Sequence, residues 1–191
     1  MPKSKNIVLA KSERIYLTYL KEEDAPVLLK WFHDPSIFAH IRDMHYHSDL
    51  DEQARWVRQV NQDPAQKVFA VYYLADDRLI GDGGFVNINY EDRKAEVGLV
   101  IGEAEYHSRG LGTEMLWLMC KYGFEVLKLH NIIYESYAEN EISLKTALKV
   151  GFKFMGKRRE SRWLAGHFQD VNYSDLLVGD LLKPEWKPKK P

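Results

Sequence analysis

The sequence predicts a single domain of the mixed α/β (α+β) class, in which helices cover a central sheet. Three observations support this fold class. A chain of 191 residues with 45% hydrophobic content is long enough for one full core. Apolar runs with strand and helix periods follow one another in the order strand, two helices, three strands, helix, strand, helix, two strands. Residues 95–128 form an uninterrupted unit of strand, glycine-containing loop and amphipathic helix.

Prolines and capping residues mark the first elements. A strand pattern at 14–20 precedes a helix that ends near Asp34-Pro35, because the residue before a proline disfavours helical geometry. Ser48 or Asp49 can cap the next helix, which Asp63-Pro64 stops. The remaining predicted elements are strands at 67–74, 79–89, 95–101, 131–137, 153–164 and 168–178, and helices at 111–128 and 141–149.

The ends of the chain are polar. We predict a flexible N-terminal segment at 1–11, one domain at 12–182, and a disordered tail rich in Pro and Lys at 183–191.

Charge and cysteine content exclude several classes of partner. Lys and Arg number 27 and Asp and Glu number 28, so the net charge of -1 predicts no nucleic-acid or membrane association. Cys120 is the single cysteine, which excludes an internal disulfide and fits a reducing compartment. With no signal-peptide pattern and no stretch of membrane-spanning length, we predict a cytoplasmic protein.

The loop Arg109-Gly110-Leu111-Gly112 opens directly into the predicted helix at 111–128. The unpaired N–H groups and positive dipole of a helix start make this an anion site. The loop lacks the Lys-Ser/Thr of a P-loop and the second glycine spacing of a dinucleotide fold, which disfavours ATP and NAD. A pyrophosphate on an extended arm, as in coenzyme A, is compatible with the site.

This loop resembles the [Gln/Arg]-x-x-Gly-x-[Gly/Ala] signature of the GNAT acetyltransferases. The segment Trp31-Phe32-His33-Asp34-Pro35 looks like the beginning of the branch that acetylates ribosomal proteins and polyamines. Asn140-Glu141-Ile142-Ser143 followed by Gly151-Phe152 is similar to that branch's Asn-x-x-Ser and Gly-Phe pattern. The resemblance covers residues 12–180. It implies a mostly antiparallel sheet of about seven strands, splayed in the middle and flanked by about four helices, and it also implies an acetyl-CoA-dependent N-acetyltransferase.

The resemblance implies a set of acetyl-CoA contacts. Backbone at the end of the central strand would pair with the pantetheine arm, the glycine loop would bind the pyrophosphate, and an asparagine and a serine would meet the arm from the next helix. His107 departs from the Gln or Arg usual at its position, and as a histidine it would help a phosphate only in a pH-dependent way. The predicted residues are Leu99, Val100, Ile101, Gly102, His107, Ser108, Arg109, Gly110, Leu111, Gly112, Thr113, Asn140 and Ser143.

Three catalytic roles are predicted. Glu96 matches the position of the glutamate base in histone-type members, and the N–H of Val100 is the predicted oxyanion donor. The tyrosine that protonates the thiolate in many members is replaced by Ala147, so Ser143 is the predicted proton donor, directly or through water. Other proton sources that stay open are Tyr134, Tyr137 and Tyr173.

The acceptor pocket is predicted to use the first two helices, their loop and the last hairpin. Its candidate residues are Trp31, Phe32, His33, Tyr46 and Tyr90. The acceptor remains open among a small-molecule amine, an amino sugar, a polyamine and a protein N-terminus. We predict no metal site, since the histidines near position 45 have no accompanying cysteine-carboxylate framework. A CoA-binding regulatory module without catalysis is the alternative, and the resemblance implies a possible homodimer.

Overall fold

A central sheet and two layers of helices organise the chain. The computed structural model describes residues 6–38, 49–164 and 166–185. The strands are β1 (Ala10–Lys11), β2 (Ile15–Tyr19), β3 (Lys67–Tyr73), β4 (Arg78–Asn89), β5 (Lys94–Ile101), β6 (Asn131–Tyr137), β7 (Lys153–Leu164) and β8 (His167–Leu177). The helices are α1 (Ala25–Phe32), α2 (Pro35–Phe38), α3 (Leu50–Gln62), α4 (Leu111–Glu125) and α5 (Glu141–Val150).

The sheet order is β1-β2-β3-β4-β5-β6-β8-β7, and every neighbouring pair is antiparallel except β5 and β6, which are parallel. This confirms the predicted mixed, mostly antiparallel sheet covered by helices. The strand count in the described part is eight rather than seven, because Ala10–Lys11 pairs with β2 inside the segment predicted to be flexible. One more turn of helix after Pro35 makes α2.

Each face of the sheet has its own core. On one face, α4 and α5 bury Leu111, Met115 and Val150 against strand residues such as Phe69 and Phe85. On the other face, α1 and α3 cover Val68 and Ala70 with a second cluster; its helix members are Leu28, Trp31, Phe32, Val57 and Val60. The alternation of β3 residues between the two clusters follows the two-residue period of a strand.

A register shift in β4 decides what faces α1 and α3. Val71 pairs with Gly81 while Tyr72 pairs with Leu79, so one extra residue is inserted in β4. Beyond this bulge Asp82 pairs with Ala70 and therefore points to the same face as Ala70, toward α1 and α3.

Candidate functional site

The parallel strands β5 and β6 part in the middle of the sheet. They pair only from Lys94–Val97 against Asn131–Tyr134, after which each strand continues without the other. The opening joins a cleft of about 1190 Å³ that reaches both faces of the sheet. This is the predicted splay, and it gives an extended molecule a route between the two faces.

The backbone of β5 presents amide groups to this opening. The N–H of Gly102 donates to the Ile80 carbonyl on β4 at 3.0 Å, whereas the carbonyl of Arg93 accepts from the His130 N–H on the other side. Since successive residues of a strand alternate, even-numbered amides face β4, and the N–H groups of Leu99 and Ile101 face the opening. The N–H of Val100 is thus turned toward β4, and Leu99 and Ile101 replace it as the amides available to a ligand.

The glycine loop and the start of α4 form one end of the cleft. Ser108 and Gly110 adopt left-handed backbone conformations, with φ of 58° and 74°. The Glu114 N–H makes the bond to the Gly110 carbonyl at 3.2 Å that begins the helix. The amides of Leu111, Gly112 and Thr113 precede it and have no helical acceptor. All three line the cleft, so the predicted anion site opens into it.

Not every predicted donor-side residue lies in the cleft. The Arg109 guanidinium is 5.2 Å from the centre of the Tyr106 ring, and its side chain does not line the cleft. Gly102 bonds to Ile80 and lies under the indole of Trp31, where a Cβ would come within 1.9 Å of the ring. Both positions therefore act through packing and backbone geometry rather than through a side chain or amide that faces the ligand.

His107 is held by the strand that leads into the loop. Its Nε2 is 2.8 Å from the carbonyl oxygen of Ile101. Because a carbonyl only accepts, Nε2 carries the proton and Nδ1 is an acceptor in the neutral ring. The imidazole can therefore donate to a phosphate only when it is protonated. In the neutral form its role is to close the loop onto β5.

A buried ion pair supports the loop from below, and the sequence analysis did not identify it. Glu114 is fully buried on α4, and its carboxylate accepts from Arg14 Nε at 2.6 Å, Arg14 N at 2.9 Å and Ser12 Oγ at 2.7 Å. The Arg14 guanidinium also donates to the Arg109 carbonyl at 2.9 Å. Arg14 precedes Arg109 by 95 positions, so no local sequence pattern signals the contact.

Asn140 and Ser143 meet Tyr134 at the opposite wall of the opening. Asn140 Oδ1 accepts from the Ser143 N–H at 3.0 Å and caps α5. The side-chain amide nitrogen of Asn140 is a separate donor that this cap does not use. The Ser143 hydroxyl is 2.7 Å from the Tyr134 hydroxyl, and both residues line the cleft. Ala147 is fully buried in the core and offers no hydroxyl, whereas Ser136, Tyr137 and Thr146 also line the cleft.

The face under α1 and α3 holds the predicted acceptor residues only in part. Trp31 and Phe32 line the cleft together with Ile37 and Trp56. His33 is exposed at the end of α1 and outside the cleft. Tyr90 also lies outside, where its hydroxyl donates to the Pro64 carbonyl at 3.1 Å beside a smaller pocket. Tyr46 lies outside the described residues.

Glu96 lies on the acceptor face of β5. It pairs with Val86 on β4 and lines the cleft, and one carboxylate oxygen is 3.5 Å from the Asn87 amide nitrogen. Gly98 comes next on this face, and a Cβ there would meet no atom within 4 Å. Glu96 is therefore at one end of a glycine-floored stretch of the cleft.

Asp82 is a second carboxylate on this face that the sequence analysis missed. It is the cross-strand partner of Val100 and lines the cleft. Burial, with a smaller contribution from the charge of Asp24, raises the pKa of Asp82 to about 7. The β4 bulge that brings Asp82 to this face is set by pairing with β3, and the local signal for it is limited to the neighbouring glycines Gly81, Gly83 and Gly84.

Within residues 6–38, 49–164 and 166–185, no three His, Cys, Asp or Glu side chains are grouped so that they would hold a metal ion. In the same part of the chain, no helix has the length and apolar character needed to cross a membrane.

Comparison with known families identifies related chains. A family model described as an acetyltransferase (GNAT) domain matches residues 14–153. The uncharacterized N-acetyltransferase p20 of Bacillus licheniformis is 26% identical over 169 residues, which covers 87% of this chain and 94% of the relative. The putative ribosomal N-acetyltransferase YdaF of Bacillus subtilis is 31% identical over 117 residues, or 61% of each chain.

Solved structures share the fold. The spermidine N-acetyltransferase of Vibrio cholerae, determined in complex with CoA and spermine, superimposes with a TM-score of 0.80 at 24% identity. The match covers 87% of this chain and 96% of that one. An acetyltransferase of the same family from Bacillus anthracis gives a TM-score of 0.75 at 23% identity, covering 88% and 97%.

Proposed function

Because the chain belongs to the GNAT acetyltransferase family, we propose that it transfers an acetyl group from acetyl-CoA to a primary amine by direct attack through a tetrahedral intermediate. One observation carries the proposal: a single cleft joins the free amides of β5 and of the α4 start, on one side, to a carboxylate-lined pocket under α1 and α3. A thioester and an amine that enter from opposite faces would meet between β5 and β6.

The chain's backbone fits the donor. The amides of Leu111, Gly112 and Thr113 would hold a pyrophosphate at the start of α4. The amides of Ile101 and Leu99 would pair with the pantetheine arm as an added strand does, and Asn140 would offer its amide nitrogen from the facing wall. This arrangement needs no basic side chain, which agrees with the position of Arg109 outside the cleft.

The acyl carbon would be activated by β5. Leu99 lies two residues deeper in the opening than Ile101, so its N–H is the proposed oxyanion donor. Glu96 would take one proton of the ammonium ion through water, because three residues of strand, about 10 Å, separate it from Leu99. The neutral nitrogen then attacks the carbonyl carbon, and the carbon–sulfur bond breaks as the intermediate collapses.

The departing thiolate needs a proton. The Ser143 hydroxyl, hydrogen-bonded to Tyr134, is proposed to donate it, and the second proton of the attacking nitrogen restores the pair. This replaces the tyrosine that many members of the family place where this chain has Ala147. The amine class, the cytoplasmic location and a homodimer remain predictions.

The proposed function is tested by acetyl-CoA binding and turnover. Calorimetry should show saturable acetyl-CoA binding, and thiol release should depend on an amine from a panel that contains a linear diamine, an amino sugar and a dipeptide. Glu96→Gln should lower kcat by about 100-fold or more for an amine that titrates near 10.4, and by less for an α-amine near 7.7 to 8.0, which is already partly neutral.

A matched control is Glu91→Gln in the exposed turn between β4 and β5, which should leave kcat unchanged. Acetyl-CoA binding without amine-dependent turnover for the whole panel would favour the CoA-binding regulatory module. Absence of acetyl-CoA binding would overturn both functions.

A further inference from the structure

We propose that Asp82 binds a positively charged group of the acceptor, which makes a cationic amine the substrate class of this pocket. The inference rests on the proposed function and adds to it a specificity-determining residue that lies outside the recognised motifs.

The position of Asp82 is close to the proposed acetyl site. It lies on β4 directly opposite Val100, next to the Leu99 amide. Residues opposite each other on antiparallel strands have Cβ atoms about 5 Å apart. Glu96 is four residues before Val100 on β5, about 13 Å along the strand. Of these two carboxylates, Asp82 is therefore the nearer to the acyl group.

The carboxylate of Asp82 makes no hydrogen bond and no ion pair within the part of the chain that the structure describes. Nearby carboxylates are different: Asp24 accepts from Tyr72 at 3.0 Å and from the Lys21 N–H at 2.8 Å, and Glu103 pairs with Arg78 and Trp31. Asp82 is half-buried, and a partly desolvated charge without a partner costs free energy. A cation bound in the cleft would remove that cost.

The charges along the acceptor part of the cleft have one sign. Its described lining residues include Asp63, Asp82 and Glu96 and no lysine or arginine. Among the described residues that line the cleft, the basic ones are Lys149 and His107, and both belong to the side formed by α4, α5 and the loop before α4. The acceptor pocket therefore attracts a cation and repels an anionic acceptor.

Aromatic side chains complete the pocket. Trp31, Phe32 and Trp56 line the same cleft from α1 and α3, and the rings of Phe32 and Trp56 are 6.4 Å apart at 80°. Aromatic faces attract ammonium groups and bury alkyl chains. A carboxylate on the floor with aromatic walls suits an alkylammonium better than a neutral polar group.

The effect of Asp82→Asn on stability distinguishes cation binding from a structural role. If Asp82 stabilised the fold, its replacement would lower the unfolding midpoint, whereas a carboxylate kept for a ligand should destabilise the unliganded protein. Its raised pKa means that the folded state holds a proton more tightly than the unfolded state, so stability is lost as pH rises toward and through about 7. The described ionisable groups on this face besides Asp82 are Asp24 from the turn before α1, Asp63 after α3, Tyr72 from β3 and Glu96 from β5, and α1 and α3 present aromatic residues to the cleft. Asp82→Asn should therefore raise the unfolding midpoint at pH 8, and the gain should shrink at pH 5.

Binding is tested with Asp82→Asn and a probe whose charge does not titrate. Calorimetry with butyltrimethylammonium should give a Kd at least about tenfold weaker for the variant, as expected for loss of a charged contact. The uncharged isostere 3,3-dimethylbutyl methyl ether should bind both proteins equally. With the best amine of the panel, the acceptor KM should rise about tenfold or more, while the acetyl-CoA KM stays unchanged.

The matched control is Asp92→Asn, an exposed aspartate in the turn before β5, which should change none of these values. Equal binding of the quaternary ammonium by wild type and Asp82→Asn would overturn the inference, and so would a lower unfolding midpoint at pH 8. These readouts do not need turnover, so failure of acetyl transfer in the wild type would count against the proposed function and leave the cation site to be judged separately.

Discussion

The two sides of the cleft are built in different ways. The donor side uses backbone amides from a continuous stretch, β5, the loop and α4, and adds α5 from shortly after it. The acceptor side uses side chains of α1, α3 and β4, which are far apart in sequence. Backbone recognition tolerates side-chain change, whereas the acceptor pocket depends on the identity of each residue. Local sequence patterns therefore predict the proposed donor site, which is one continuous stretch, more readily than the acceptor pocket, whose residues are far apart in the chain.

The donor side nevertheless depends on one distant contact. Arg14, just before β2, links the carbonyl of Arg109 to the buried Glu114, and so holds the loop that carries the proposed anion-binding amides. The acceptor side has no equivalent brace on Asp82. The two regions should therefore respond to mutation in opposite ways. Loss of the Glu114 carboxylate should lower the free energy of unfolding, whereas loss of the Asp82 carboxylate should raise it.

The largest expected effect comes from Glu114→Gln. Removing the charge leaves Arg14 facing a neutral group in a buried site, which should cost about 3 kcal/mol of unfolding free energy. The loop should lose its support, so the acetyl-CoA KM should rise more than the acceptor KM. Urea denaturation and steady-state kinetics measure the two effects.

The control for this change is Glu125→Gln at the exposed end of α4, where the carboxylate pairs with Lys121 on the surface. Its cost should stay below about 0.5 kcal/mol. Equal costs for the two substitutions would mean that the Arg14–Glu114 contact does not stabilise the loop.

The contrast also separates what the sequence predicted from what it did not. The order of elements, the cap at Asp49 and the glycine loop before α4 follow from local signals, and the structure agrees with them. The β4 bulge, the Arg14–Glu114 pair and the alternation that turns Val100 away from the opening depend on pairing between strands. No local pattern encodes such pairing, so the sequence analysis did not single out Asp82 and predicted an oxyanion donor, the Val100 N–H, that the strand pairing turns toward β4.

A smaller effect is expected where the two sides touch. Gly102 follows the end of β5 on the donor side and lies against Trp31 of the acceptor side, where an added Cβ would be 1.9 Å from the indole. Gly102→Ala should displace this ring, weaken its bond to Glu103, and cost about 2 kcal/mol by overpacking. Acceptor KM should rise more than acetyl-CoA KM, because Trp31 lines the acceptor pocket.

Gly156→Ala supplies the comparison for that change. A Cβ at this β7 position meets no atom within 4 Å, so the substitution should be nearly neutral. If Gly102→Ala is equally neutral, the indole of Trp31 moves freely and cannot be a fixed wall of the pocket.

The smallest effect separates capping from ligand binding. Asn140 caps α5 on the donor side and Asp49 caps α3 on the acceptor side, each by accepting from an amide three residues later, at 3.0 and 2.9 Å. Alanine at either position should cost about 1 kcal/mol of unfolding free energy. Asn140→Ala should also raise the acetyl-CoA KM, since Asn140 lines the cleft, while Asp49→Ala should not. Matching kinetic changes in both variants would mean that Asn140 acts only as a helix cap.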